Sequence, residues 1–196
     1  MAKSFDNGNG LKIKTKQGDL DKMVKALLVL ADVEVLVGFP EETTDRTDEG
    51  PAKGMTNAAL GYIHDTGAPE QNIPARPFMA PGIADAQDKI DAKLLQVLKA
   101  ASQDKGVDVI ERGFTQVGLI AKLAIQNKIN EGIPPPLADS TLRARARRGR
   151  KGAKAELASR SMGNAPGVVN AKPLVDTGQL RNAVNYVIRS RRKRKK

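Results

Sequence analysis

Apolar residues change period several times along this chain, and each change marks a candidate element. Leu11, Ile13 and Thr15 alternate with Lys12, Lys14 and Lys16, as in a half-exposed edge strand, within an otherwise flexible arm over residues 1–17. From Gly18 to Ala31 the period becomes helical: Asp19 can cap, and Met23, Leu27 and Leu30 share a face with Val24 and Leu28 beside them. Val33-Glu34-Val35-Leu36-Val37-Gly38-Phe39-Pro40 then reads as a strand, β-branched and stopped by Gly and Pro. Thr56 can cap a helix that carries Leu60, Ile63 and His64 and ends at Gly67. Ile83, Ile90, Leu94, Val97 and Leu98 predict one long amphipathic helix over 82–101. Val107, Ile110, Phe114, Val117, Ala121, Ala124 and Ile125 predict a second over 107–129, antiparallel to the first across a turn at 104–106. Val184, Tyr186 and Ile188 alternate as a closing strand.

Between these elements the pattern is broken in characteristic ways. Pro69, Pro74, Pro77 and Pro81 stiffen residues 67–81, because each proline fixes φ and withdraws a donor. Gly132-Ile133-Pro134-Pro135-Pro136 ends the second long helix, and Asp139 or Ser140 can cap a short helix through Arg148. Residues 41–55 and 149–170 show no apolar period and read as loops, the first acidic and the second basic and mobile. The expectation is an α+β fold: a small, mostly antiparallel sheet packed against two long helices, with a flexible basic insert and a C-terminal arm. It is organised as a single domain over 18–188 between the N-terminal arm 1–17 and the basic tail 189–196.

Composition narrows the chemistry. Of 196 residues 40% are hydrophobic but only 3% aromatic, so the core must be built from Leu, Ile, Val and Ala. With no cysteine and a single histidine, disulfides, thiolate sites, Cys–His pairs and multi-histidine metal centres are excluded. Neither a Gly-x-Ser-x-Gly elbow nor a phosphate loop occurs. His64-Asp65 reads as a capping and packing pair before it reads as a dyad, since a dyad needs a convergent third group. Asp85, Asp88 and Asp91 read as a solvated face near a helix start, where the dipole favours carboxylates. No metal or other cofactor is expected, and no enzyme activity. The polar, glycine-rich first ten residues do not read as a signal peptide, and the longest apolar run, Ala26 to Ala31, is far short of the roughly 20 residues that span a bilayer, so no membrane partner is expected.

The net charge of +11 is concentrated. Residues 143–160 hold eight Arg or Lys against Glu156 alone, and residues 189–196 are basic at seven of eight positions, which leaves the body at −3. Such clusters supply sequence-independent affinity for phosphates. The expected contacts to DNA or to an acidic partner are Arg143, Arg145, Arg147, Arg148, Arg150, Lys151, Arg191, Arg192, Lys193 and Arg194. No aromatic residue is interleaved with them, so stacking on single-stranded bases is not indicated.

Four segments, in order, carry a resemblance: Val35-Leu36-Val37-Gly38-Phe39-Pro40, Asn57-Ala58-Ala59-Leu60-Gly61-Tyr62-Ile63-His64-Asp65-Thr66-Gly67, Asn72-Ile73-Pro74-Ala75-Arg76-Pro77-Phe78-Met79, and Pro173-Leu174-Val175-Asp176-Thr177-Gly178-Gln179-Leu180-Arg181. Together they resemble neck and tail-completion proteins of tailed bacteriophages. The third and fourth are the specific ones, and the helices between them are generic. The resemblance implies an α+β virion protein, made in the host bacterial cytoplasm, whose copies form a homo-oligomeric ring between head and tail. Its implied partners are neighbouring neck or tail proteins and the double-stranded DNA passing through. It also implies that Pro74, Arg76, Pro77 and Phe78 form a surface for subunit or partner contact, and that Asp176, Thr177 and Gly178 cap the last helix. The basic insert and tail have no counterpart in the pattern, and their DNA-facing role is read from charge alone. The alternatives are a stand-alone basic nucleic-acid-binding module and a phage-encoded hydrolase using His64 and Asp65.

Overall fold

The computed structural model describes residues 2–6, 12–16, 24, 28, 30–40, 54–103 and 105–191. The acidic stretch 41–53 and the tail residues Arg192, Lys193 and Arg194, like Asp19, Met23 and Leu27 of the first expected helix, lie outside the described residues. Strands β1 (Ala2–Asp6) and β2 (Lys12–Lys16) pair antiparallel, with Ala2 opposite Lys16 and Asp6 opposite Lys12, which extends the expected edge strand to a hairpin. Val24, Leu28 and Leu30 are helical as their spacing predicts, and β3 (Val33–Gly38) follows.

Helix α1 (Asn57–Thr66) starts where Thr56 Oγ1 accepts the Ala59 amide at 3.1 Å. It ends at Gly67, whose φ of 82° suits a residue without Cβ and whose amide donates to Ile63 O. A short 3-10 turn (Pro69–Gln71) leads through the proline segment to α2 (Met79–Asp85). The predicted helix over 82–101 therefore starts earlier and is interrupted: α2 closes at Ala86, whose amide turns back to Ile83 O, and α3 (Gln87–Ser102) begins at once. Helix α4 (Val107–Glu131) extends two residues beyond its prediction, to the Gly132 break. Then come α5 (Asp139–Arg147), α6 (Lys151–Ser161), α7 (Gln179–Ala183) and β4 (Asn185–Ser190), which pairs with β3. The fold is α+β, with short strands beside long helices. No described helix is long and apolar enough to cross a membrane.

The chain groups into two compact units, one of residues 1–36, 89–117 and 188–196, the other of residues 37–88 and 118–187. The reason is where the apolar side chains gather. In the first unit Val97 and Ala101 of α3 pack on Ile110 and Phe114 of α4, with Leu30, Val33, Val35 and Ile188 around them. In the second, Phe78, Ile125, Ile129, Leu174 and Val184 form a separate cluster with Val37, Phe39 and Ile133. Glycines on the helices permit close approaches within the second unit: a Cβ at Gly82 would lie 2.9 Å from the Ile125 Cα, and one at Gly118 would lie 2.3 Å from the Tyr186 ring.

One expectation, concerning the insert, is corrected. Residues 149–170 are not a mobile loop, because α6 occupies half of them. Ala153 and Leu157, four residues apart, meet Leu142 and Ala146, also four apart on α5, and Leu137 and Ala171 complete a small core. Complete burial of a leucine such as Leu142 contributes about 1.5–3 kcal/mol toward holding the two short helices as a hairpin.

Candidate polyanion interface

The hairpin α5–α6 is built around two carboxylates. Glu156, fully buried, accepts from the Gly167 amide at 2.8 Å, from Asn170 Nδ2 at 3.0 Å and from Arg160 Nε at 3.0 Å. The Gly167 amide, then Asn170 and Arg160, hold its carboxyl below the usual glutamate range against the opposing effect of desolvation. Arg160 also reaches Asp139 at 2.6 Å, tying the end of α6 to the start of α5. Neither Asp139 nor Ser140 caps α5 as expected. The N-cap position is Ala138, whose side chain has no acceptor, and the Asp139 carboxylate, one residue into the helix, pairs with Arg160.

Asp176 is the second centre. Arg148 Nη2 lies 2.6 Å from its Oδ2, Arg150 Nε lies 2.8 Å from its Oδ1, and Arg145 Nε approaches to 4.0 Å. Burial pushes this carboxyl up, but the Arg150 hydrogen bond and the charges of Arg145 and Arg148 more than offset it and hold the group below the ordinary aspartate range. Arg145 itself is buried, and its guanidinium donates to the carbonyls of Lys172 (2.9 Å), Val175 (2.9 Å) and Pro173 (2.7 Å). Desolvation draws its pKa down, and the charge of Asp176 opposes that.

The predicted contacts therefore divide. Arg145 is part of the fold, and Arg148 and Arg150 are engaged with Asp176. Arg143, Arg147 and Lys151 are exposed, as is Lys154 beside them. Arg191, with Arg189, pairs with Glu34 at 3.1 and 3.2 Å, and the Arg189 hydrogen bond is the chief reason that carboxyl is held down. The predicted caps divide as well. Asp176 serves the arginines, Thr177 Oγ1 accepts the Gln179 amide at a long 3.4 Å, and Gly178, with φ of 85°, is the residue from which α7 starts.

The proline segment is corrected in part. Pro74 and Pro77 are exposed and available for contact, but Phe78 is 0% and Arg76 5% exposed. Phe78 belongs to the core, edge-on to Phe39, and Arg76 donates through Nε and Nη2 to Pro135 O at 3.2 and 2.8 Å. A guanidinium between two prolines turns inward here because a carbonyl of the Pro-rich break meets it. Asp65 Oδ1 accepts the Phe78 and Met79 amides at 2.7 and 3.0 Å, which places a carboxylate at the start of α2 in the capping role expected of it. Asp85 pairs with Lys128 at 2.8 Å, and no group able to hold a metal ion occurs among the described residues.

What sequence reasoning missed is Glu156, Asn170 and Lys172. The lone acid in a basic run, with apolar pairs four residues apart on either side of Gly149, was the available signal. Beside Asp176 a cleft of about 260 Å3 opens, lined among others by Arg150, Lys151, Gly152, Lys172 and Asp176, with Arg145 in its wall. No protein-family model, curated protein or solved structure matches this chain.

Proposed function

We propose that the chain is a structural virion protein of a tailed phage: a neck or tail-completion component whose copies form a ring around the DNA path between head and tail. The observation that carries this reading is the ordered set of four segments, above all Ile73-Pro74-Ala75-Arg76-Pro77-Phe78 and Leu174-Val175-Asp176-Thr177-Gly178-Gln179-Leu180. Support comes from the way both segments are built into the molecule, Arg76 on the Pro135 carbonyl and Asp176 under Arg148 and Arg150, so that each has a physical reason to be kept. The outward cations Arg143, Arg147, Lys151 and Lys154 supply diffuse contact to double-stranded DNA, which permits passage where base-specific binding would arrest it. Pro74 and Pro77 remain as partner contacts. Rings close through heterologous contacts between identical copies.

The test is the mass of the purified chain at low and high salt, together with electron micrographs of particles made with and without it. Rings in solution, or heads and tails that accumulate unjoined in its absence, are the expected results. A salt-independent monomer, with normal particles in its absence, would overturn the reading in favour of a stand-alone nucleic-acid-binding module.

A further inference from the structure

The cleft beside Asp176 has an unbalanced charge. Arg145, Arg150, Lys151 and Lys172 line it, and Asp176 is its single acid. That acid is already engaged by Arg148 and Arg150 through both oxygens, and Arg76 lies near enough to Arg145 to repel it. No acidic side chain pairs with Lys151 or Lys172 among the described residues, and both contribute to the wall. The first turn of α6, Lys151-Gly152-Ala153, which no side chain caps, also lines the cleft. Gly152 allows this turn to sit against the Asn170 carbonyl, where a Cβ would lie 2.1 Å from the oxygen. The space is several times the roughly 30 Å3 that one water occupies, so it admits a tetrahedral anion with solvent.

We infer that this cleft binds a backbone phosphate of double-stranded DNA, with Lys151 and Lys172 as its direct cationic contacts and Arg145 and Arg150 as the fixed positive wall behind them. Two ammonium groups beside a hydrogen-bonded guanidinium frame suit a phosphodiester, which needs several donors from different directions. The inference deepens the proposed DNA contact and rests on it. It names one anchored phosphate per subunit where net charge alone names a diffuse surface.

The experiment is fluorescence anisotropy of a short labelled DNA duplex with the full chain, titrated over a range of salt concentrations, with assembly followed by sedimentation and folding by circular dichroism. For Lys151→Ala/Lys172→Ala, duplex affinity falls about tenfold or more at low salt, and the slope of log affinity against log salt falls by about one. Lys151→Arg/Lys172→Arg restores both, and the equally charged outer pair Arg143→Ala/Arg147→Ala has the smaller effect on affinity. Inorganic phosphate, compared with chloride at matched ionic strength, raises the melting temperature of the unaltered chain but not of the Lys→Ala pair. Unchanged affinity and slope in a folded Lys→Ala pair would overturn the inference. So would competition by polyglutamate as effective as that by duplex, which would assign the cleft to an acidic protein. Phosphate-dependent stabilisation without duplex binding would overturn the DNA assignment. Rings that persist in every variant separate any of these failures from failure of the ring reading.

Discussion

The two basic regions, 143–160 and 189–196, look alike as strings of charge, yet they are built differently. In the first, the basic residues are interspersed with Ala146, Ala153 and Leu157, which form a core with Leu142, and Arg145 is turned inward onto three carbonyls. In the second, the described residues Arg189 and Arg191 lie along β4 and its end, and they meet one acid, Glu34, near the surface. A run of positive charge becomes scaffold where apolar residues at helical spacing are threaded through it, and remains surface where they are not. Net charge therefore overstates what the first region can offer to a polyanion.

The sharpest way to break this contrast is Arg145→Ala. It leaves the Lys172, Pro173 and Val175 carbonyls without their donor and thins the charge around Asp176, so the expected loss is about 3–5 kcal/mol in urea unfolding. A loss below about 1 kcal/mol would mean that water replaces the guanidinium and that the arginine is no scaffold. Gly152→Ala follows, with an expected cost of about 1–3 kcal/mol, because its Cβ would have to push the Asn170 carbonyl away from α6.

Glu156 tests the scaffold by pH. Its folded pKa is depressed, chiefly by the Gly167 amide, so its contribution is present above the unfolded pKa and is lost as pH falls through the folded one. Melting temperature should therefore decline through the acid limb below the ordinary glutamate range, and Glu156→Gln should flatten that decline. An unaltered acid limb in the variant would remove Glu156 as the source. The smallest effect belongs to the second region. Glu34→Gln should shift the melting temperature slightly at low salt and not at all at high salt, where exposed pairs such as Glu34 with Arg189 and Arg191 are screened.

Much of the architecture was legible in the sequence because the long helices repeat their apolar residues over many turns, and because Thr56, Gly67 and Gly132 punctuate them by local chemistry. The strand at Val33–Gly38 was legible because valine stands at every second position, 33, 35 and 37, ahead of Gly38 and Pro40. Helix α6 was not, since its apolar signal is only Ala153 and Leu157, and a two-residue pattern becomes informative only with α5 opposite it. The inward turn of Arg76 and the capture of Asp176 were hidden because their partners, Pro135 in one case and Arg148 and Arg150 in the other, lie tens of residues away in the chain. Spacing rules see neighbours on one element. They do not see which carbonyl or carboxylate a distant arginine will meet.

The approach of Gly118 to the Tyr186 ring bears on how this chain can vary. A glycine inside a long helix gives up about 1 kcal/mol of helix propensity relative to alanine, yet here any larger residue would collide with the ring. The two positions must therefore exchange volume together: a lineage that acquires alanine or serine at 118 has to carry a smaller side chain at 186. The pair 118/186 thus forms a covariation signature, readable in aligned sequences even where identity has decayed, whereas Gly82 meets the backbone of Ile125 and must stay small whatever stands at 125.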